Sequence, residues 1–255
     1  MIVRFHDRAL VLRRIPFQEA SLVVHLLTRA QGARSVIARG VRKRKGPERA
    51  SLAGFHTIDV RGYCRSACAL GTLVHADIVR GRHRLRETPL ALAAAQVIQE
   101  MLYRYVPQGA PHIDLFDHAE TILDRLDAGQ DPLALLAFMQ GVTLRAIGYG
   151  WRVDCCVGCG GTAALGYFSV RRAQTVCQPC GQPYADHIPA LDDDERRVMA
   201  AAGWSDDFSR LAPGQRLNLF HIGSRCLSRF GGHILDAERL FHQLLDARPP
   251  PNLPA

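Results

Sequence analysis

The sequence predicts an α+β fold: an N-terminal β-barrel, then a helical domain with an inserted four-cysteine zinc finger. Three observations carry this. Five strand-like stretches crowd residues 1–80, Pro-led helical patterns take over at residue 87, and paired C-x2-C units interrupt the helices within residues 151–185. The expected domains are therefore residues 1–86 and 87–255, with the cysteine-rich insertion inside the second.

The strands come first. Ala9-Leu10-Val11-Leu12 is a short apolar run, and Ser21–Thr28 is rich in apolar and β-branched residues. Ser35–Ala38 follows, with Gly32 suited to the tight turn before it. Phe55–Val60 and Gly71–Val79 alternate apolar with polar positions. Five short strands favour a small closed barrel, because closure removes exposed sheet edges.

Thr88-Pro89 then combines an N-cap with proline at the first helical position. Helix is expected over Leu90–Val106 and Ile113–Leu126. Asp131-Pro132 repeats the start signal for Leu133–Ile147, which Gly148 and Gly150 end. Helical pattern returns over Leu191–Ala202, Leu217–Phe230 and Asp236–Leu245.

The 255 residues are 47% hydrophobic and 22% charged, which excludes wholesale disorder. No run approaches the roughly 18 apolar residues that cross a bilayer. Met1–Leu12 alternates apolar with charged residues and is not expected to be a signal peptide, so the expected location is cytoplasmic. The net charge of +8 hides an asymmetry: residues 1–86 hold 18 Lys+Arg against 5 Asp+Glu, and the remainder 14 against 19. A polyanion-binding module joined to one with another task fits this split. A GC-rich genome would also inflate arginine (30 Arg, 2 Lys), but along the whole chain.

Arg39, Arg42, Lys43, Arg44, Lys45 and Arg49 place six cations in 11 residues between the third and fourth strands. Arg34 and the arginines at 80, 82, 84 and 86 are candidates to extend this patch. Such a loop can follow a phosphate backbone, with affinity that falls steeply with salt. Phe17 and Phe55 are candidate base-stacking platforms or core residues. Barrels of the oligonucleotide-binding type, OB-folds, bind single strands on one sheet face and its loops. The plainer readings are a solvated loop or a localisation signal.

Of eight cysteines, Cys156-x2-Cys159, 17 residues and Cys177-x2-Cys180 have zinc spacing. A redox CxxC pair or disulfides are the alternatives, the latter disfavoured in a reducing compartment. Cys155 leaves the register open, since Cys155–Cys159 is a C-x3-C pair. Cys64, Cys68 and Cys226 have no partners at such spacing and read as core or loop residues. Four thiolates make a closed site, which stabilises a fold and leaves no position for catalytic water. His118-Ala119-Glu120 matches a deaminase element, but the proline that should precede the cysteine pair is missing, and Cys177 and Cys180 would go unexplained. No P-loop, nucleophile elbow or dinucleotide fingerprint is found.

Together these stretches resemble the RecO family of bacterial DNA repair and recombination mediators. The resemblance rests on Glu19–Gly32, Ala38-Arg-Gly-Val-Arg-Lys43, the Cys156-Val-Gly-Cys159-Gly160 knuckle, Tyr167-Phe168-Ser169 before Cys177-Gln-Pro-Cys180, and Phe220–Leu245 with Gly231-Gly232. Arg171-Arg172-Ala173-Gln174 stands where the family has Gly-Gly before the third cysteine, and adds charge. The resemblance implies a non-enzymatic factor that binds single- and double-stranded DNA and anneals complementary strands. It would work with RecR to help RecA replace single-strand-binding protein. It also implies one structural Zn2+ on Cys156, Cys159, Cys177 and Cys180, and DNA contacts from Arg39, Arg42, Lys43, Arg44, Lys45 and Arg49. The acidic tail of single-strand-binding protein would meet the helical part, in a cytoplasmic, nucleoid-associated protein. Two other classes compete: a zinc-ribbon transcription or translation factor that binds RNA or polymerase, and an enzyme using the metal.

Overall fold

A computed structural model describes residues 2–43, 47–66, 69–108, 110–184, 189–200 and 207–247. Strands β1 (Val3–Phe17), β2 (Ser21–Thr28), β3 (Gly32–Ala38), β4 (Thr57–Cys64) and β5 (Gly71–Arg80) close a barrel in the order β1-β2-β3-β5-β4. Only β3 and β5 pair in parallel, through Val36↔Gly71 to Ala38↔Leu73. A short helix α1 (Pro47–Ser51) lies between β3 and β4. This is the OB-fold arrangement.

β1 is far longer than its apolar run. Its first half pairs with β4 and its second with β2, and a register shift between Val11 and Arg13 turns the strand from one partner to the other. The run Ala9–Leu12 is apolar because both faces of β1 are covered there. Ala9 and Val11 fill the barrel with Phe5, Val24 and Leu26. Leu10 and Leu12 point outward into the core of the helical part, with Leu27 and Ala33.

The helices are α2 (Pro89–Tyr105), α3 (Ile113–Asp127), α4 (Pro132–Ala146), α6 (Asp193–Ala200), α7 (Asp207–Arg210), α8 (Pro213–Gly231) and α9 (Asp236–Asp246). Alanines 91, 93, 94 and 95 are all buried on α2, which lets it approach the barrel closely. Gln99 on α2 donates to the Val11 carbonyl at 2.5 Å. Asp131 caps α4 by accepting from the Leu133 N–H, as its sequence signal predicts, whereas Thr88 makes no side-chain cap bond to α2. Gly232 ends α8 with φ +71°, in the left-handed region that favours glycine.

The insertion holds a hairpin, β6 (Leu165–Ser169) and β7 (Gln174–Cys177), then the short helix α5 (Gln178–Gly181). Both hairpin edges are covered. Phe168 N–H donates to the Pro189 carbonyl on one side, and Thr175 N–H to that of Arg152 on the other. Among the described residues, no helix is long and apolar enough to cross a membrane.

Candidate functional site

The basic loop leaves β3 and is fastened to the β1–β2 hairpin tip. Arg42 donates its N–H to the Ala20 carbonyl at 2.9 Å and its guanidinium to the Gln18 carbonyl at 3.2 Å. Lys43 Nζ lies 3.4 Å from Glu19, an exposed pair of small energetic weight. Arg39, Arg42, Lys43 and Arg49 are all exposed. Arg44 and Lys45 lie outside the described residues, as does Cys68.

The last five residues of β1, Arg13–Phe17, are exposed and stay paired with β2 up to the hairpin turn. Phe17 is 38% exposed and thus presents a ring beside the loop, whereas Phe55 packs against the helical core. Arg14, exposed on this stretch, lies outside the dense charge run that marks the loop in the sequence, and only its neighbours in Arg13-Arg14-Ile15-Pro16-Phe17 signal it.

Several arginines expected on this surface are elsewhere. Arg34 is only 7% exposed. Its guanidinium sits 4.7 Å from the Phe5 ring centroid and donates to Cys64 Sγ at 3.2 Å. It shares the inward phase of Val36 and Ala38, so the expected DNA contact is corrected to a barrel-interior role. Arg80 and Arg82 both pair with Asp124 on α3. Arg82 also donates to the Phe55 and Glu120 carbonyls and to Thr57 Oγ1. Asp117, Glu120, Asp124 and Asp127 line one face of α3 toward the barrel. Asp117 accepts from Arg29 Nε and Nη2 at 2.6 and 2.7 Å, and Glu120 meets Arg8 at 3.6 Å. Arg84 pairs with Glu87 at 3.8 Å, and Arg86 reaches the Ala53 carbonyl. The arginines at 80, 82, 84 and 86 are thus engaged within the chain.

The second locus is the four-cysteine centre. The Sγ atoms of Cys156, Cys159, Cys177 and Cys180 all lie within 4.8 Å of one another, with Cys159 and Cys177 at 3.7 Å. A tetrahedral ion with metal–sulfur bonds of ~2.3 Å sets sulfurs about 3.8 Å apart, so this donor set fits. The first knuckle is built by Gly158 N–H on Cys156 Sγ at 3.3 Å and by Gly160 at φ +75°. Gly181 serves differently: a Cβ there would lie 2.4 Å from the Tyr167 ring. Burial opposes ionisation of Cys156, yet N–H groups of Cys177, Cys159 and Gly158 outweigh it and bring the thiol to about 6. Hydrogen bonds with Cys177 and Cys159 hold Cys180 protonated, its value pushed up to about 12. Without a cation, the cluster cannot carry four thiolates. Cys155 turns away, its Sγ 3.4 Å from Gln174 Nε2, which leaves Cys156 in the cluster.

The deaminase element is dispersed. His118 stacks on Phe138, and Glu120 accepts from Thr57 at 2.8 Å in the barrel junction. Cys226 is fully buried on α8.

Two family models match the chain: "Recombination protein O N terminal" over residues 1–82 and "Recombination protein O C terminal" over residues 86–217. Among curated proteins, the DNA repair protein RecO of Exiguobacterium sibiricum is 27% identical over 242 residues, covering 93% of this chain and 96% of that protein. The RecO proteins of Anaeromyxobacter dehalogenans and Myxococcus xanthus are 34% and 33% identical, covering 72% and 70% of this chain and 74% and 73% of their own lengths. With both halves matched in order around a barrel and a four-cysteine centre, the chain belongs to the RecO family of recombination proteins.

Proposed function

We propose that the protein is a non-enzymatic DNA repair and recombination mediator. In this reading it binds single- and double-stranded DNA, anneals complementary strands and, with RecR, helps RecA replace single-strand-binding protein. The observation that carries it is the basic loop bonded to the β1–β2 tip beside exposed Phe17, on a closed OB-type barrel. Its relatives' names as DNA repair proteins support it.

The loop cations neutralise repulsion between two phosphate backbones, while weak, base-independent contacts let strands slide in search of register. Sequence specificity is then left to base pairing. The exposed Phe17 ring offers an unpaired base a stacking surface. The reading assigns no catalytic residue. Cys156, Cys159, Cys177 and Cys180 would hold one Zn2+, whose contribution is to fix the two knuckles. The tail of single-strand-binding protein is assigned to the helical part, and the location to the cytoplasm, at the nucleoid.

The test is annealing of complementary oligonucleotides coated with single-strand-binding protein, with and without this protein. Faster annealing is expected, lost in Arg42→Glu/Lys43→Glu. No acceleration between ~50 and ~500 mM salt would overturn the reading. Binding of structured RNA in preference to unstructured single-stranded DNA would favour an RNA-binding factor instead.

A further inference from the structure

A cleft of about 870 Å3 opens between the four-cysteine hairpin and α8. Arg171 and Arg172, in the turn joining β6 to β7, stand on one rim. Arg225 and Arg229, one helical turn apart on α8, stand on another. All four are exposed, and Val157 and Val176 contribute an apolar floor. Among the described residues no carboxylate lines the cleft, and none of the four guanidinium groups is in an ion pair. Background composition does not explain this, because residues 87–255 hold 14 basic against 19 acidic residues. Four like charges around one concavity repel one another, and a bound polyanion relieves that repulsion.

The occupant follows from the chemistry of the walls. Guanidinium forks bind phosphate oxygens in pairs, and an apolar floor accepts the faces of unpaired bases or sugars. An extended peptide would find no edge to join, because both edges of the hairpin are already paired with flanking chain. The cleft is also separate from the barrel. The barrel packs on α2, α2 on α4, and α4 on α8. Although the C-terminal end of α8 also meets Tyr105 of α2, no barrel residue is among the described residues that line the cleft.

We propose that this cleft is a second binding site for the backbone of single-stranded nucleic acid, independent of the barrel surface. One molecule then holds two strands at once, or two stretches of one strand.

The experiment uses the full-length, metal-loaded protein and a fluorescent oligo-dT of about 30 nucleotides, with affinity read by anisotropy across ~50–300 mM salt. Each phosphate contact to a single strand contributes about 0.7 to the salt slope. Loss of four contacts in R171E/R172E/R225E/R229E should therefore lower the slope by about 3 and weaken low-salt binding at least tenfold. Metal content and thermal midpoint should stay unchanged. If charge reversal disturbs the fold, R225Q/R229Q should lower the slope by about 1.4. Arg42→Glu/Lys43→Glu should weaken binding separately, so failure of the barrel reading and failure of the cleft are distinguishable. Unchanged slope and affinity in the folded cleft variants would overturn the proposal. So would variants that keep oligo-dT binding but lose a native affinity for an Asp-rich decapeptide, which would assign the cleft to an acidic protein tail.

Discussion

Arg34, Arg82 and Arg42 carry the same charge and face three different environments. Arg42 is solvated on the hairpin tip, Arg34 lies under Phe5 inside the barrel, and Arg82 is only 2% exposed between the barrel and α3. Burial pushes the Arg82 guanidinium down, and its bonds to Asp124 oppose the shift. Arg82 ties Asp124, Thr57 and two carbonyls together, so removing it leaves buried acceptors without donors. Arg82→Ala should destabilise the protein by about 3–5 kcal/mol. Arg82→Lys should recover little, since an ammonium cannot reproduce the fork geometry. Urea unfolding checks both, and a loss under about 1 kcal/mol would refute the role. Arg34 was legible in part, because its parity with Val36 and Ala38 marks an inward position on β3. Arg82 was not, because its carboxylate partner Asp124 lies 42 residues on, across a domain junction no local pattern reveals.

At the scale of elements, the strongest sequence signals were those with a local cause. Ser21–Thr28 matches β2 residue for residue, and the C-x2-C spacing places four sulfurs together. The length of β1 was hidden, since Arg4, Arg8, Arg13 and Arg14 break its apolar pattern while sheet bonds continue. Helix α1, five residues inside the basic stretch, has too few residues to show a period. The knuckles and hairpin bury only a small core of their own around Cys156, Leu165, Val176 and Cys177. Metal should therefore supply much of their stability. An ion at a thousandfold above its Kd contributes about 4 kcal/mol, so chelation should lower the thermal midpoint by roughly 8–16 °C. Cys177→Ala should reproduce that loss and make the midpoint insensitive to chelator. Glu238 on α9 offers a pH test. Burial pushes its carboxyl up, while Ser224 at 3.0 Å and Gln140 at 3.3 Å donate to it. A raised folded value means the native state binds the proton more tightly, so this group's effect on stability worsens as pH rises above the ordinary Glu range. Glu238→Gln keeps an acceptor and removes the charge. Its midpoint should exceed that of the parent near pH 8 and match it near pH 4. A variant less stable near pH 8 would show that the ionised form is the favoured one.

Across the whole molecule, the 18 basic residues of the first 86 divide by address. Arg8, Arg29, Arg80 and Arg82 are directed at the acidic face of α3 and hold the barrel to the helices. Arg14, Arg39, Arg42, Lys43 and Arg49 stay in solvent on the hairpin and loop side. The charge sum of a segment therefore overstates what a DNA strand meets, and part of the acidic excess of the second segment exists to oppose it. This separates two explanations of affinity. If net charge governs binding, neutralising any acid should tighten it. If the address governs, only changes near the loop should matter. Asp117→Asn raises the net charge by one and frees Arg29, whose bond holds the Asp117 carboxyl below its ordinary value. Oligonucleotide affinity near 100 mM salt should stay within about twofold of the parent, and stability should fall by about 1 kcal/mol at neutral pH. That loss should vanish as the pH drops below the ordinary Asp range, where the parent's carboxyl also takes up a proton. Arg42→Glu/Lys43→Glu, by contrast, should weaken binding at least tenfold with an unchanged midpoint. Tighter binding by Asp117→Asn would mean that the field of the whole barrel, and not the loop, captures the strand.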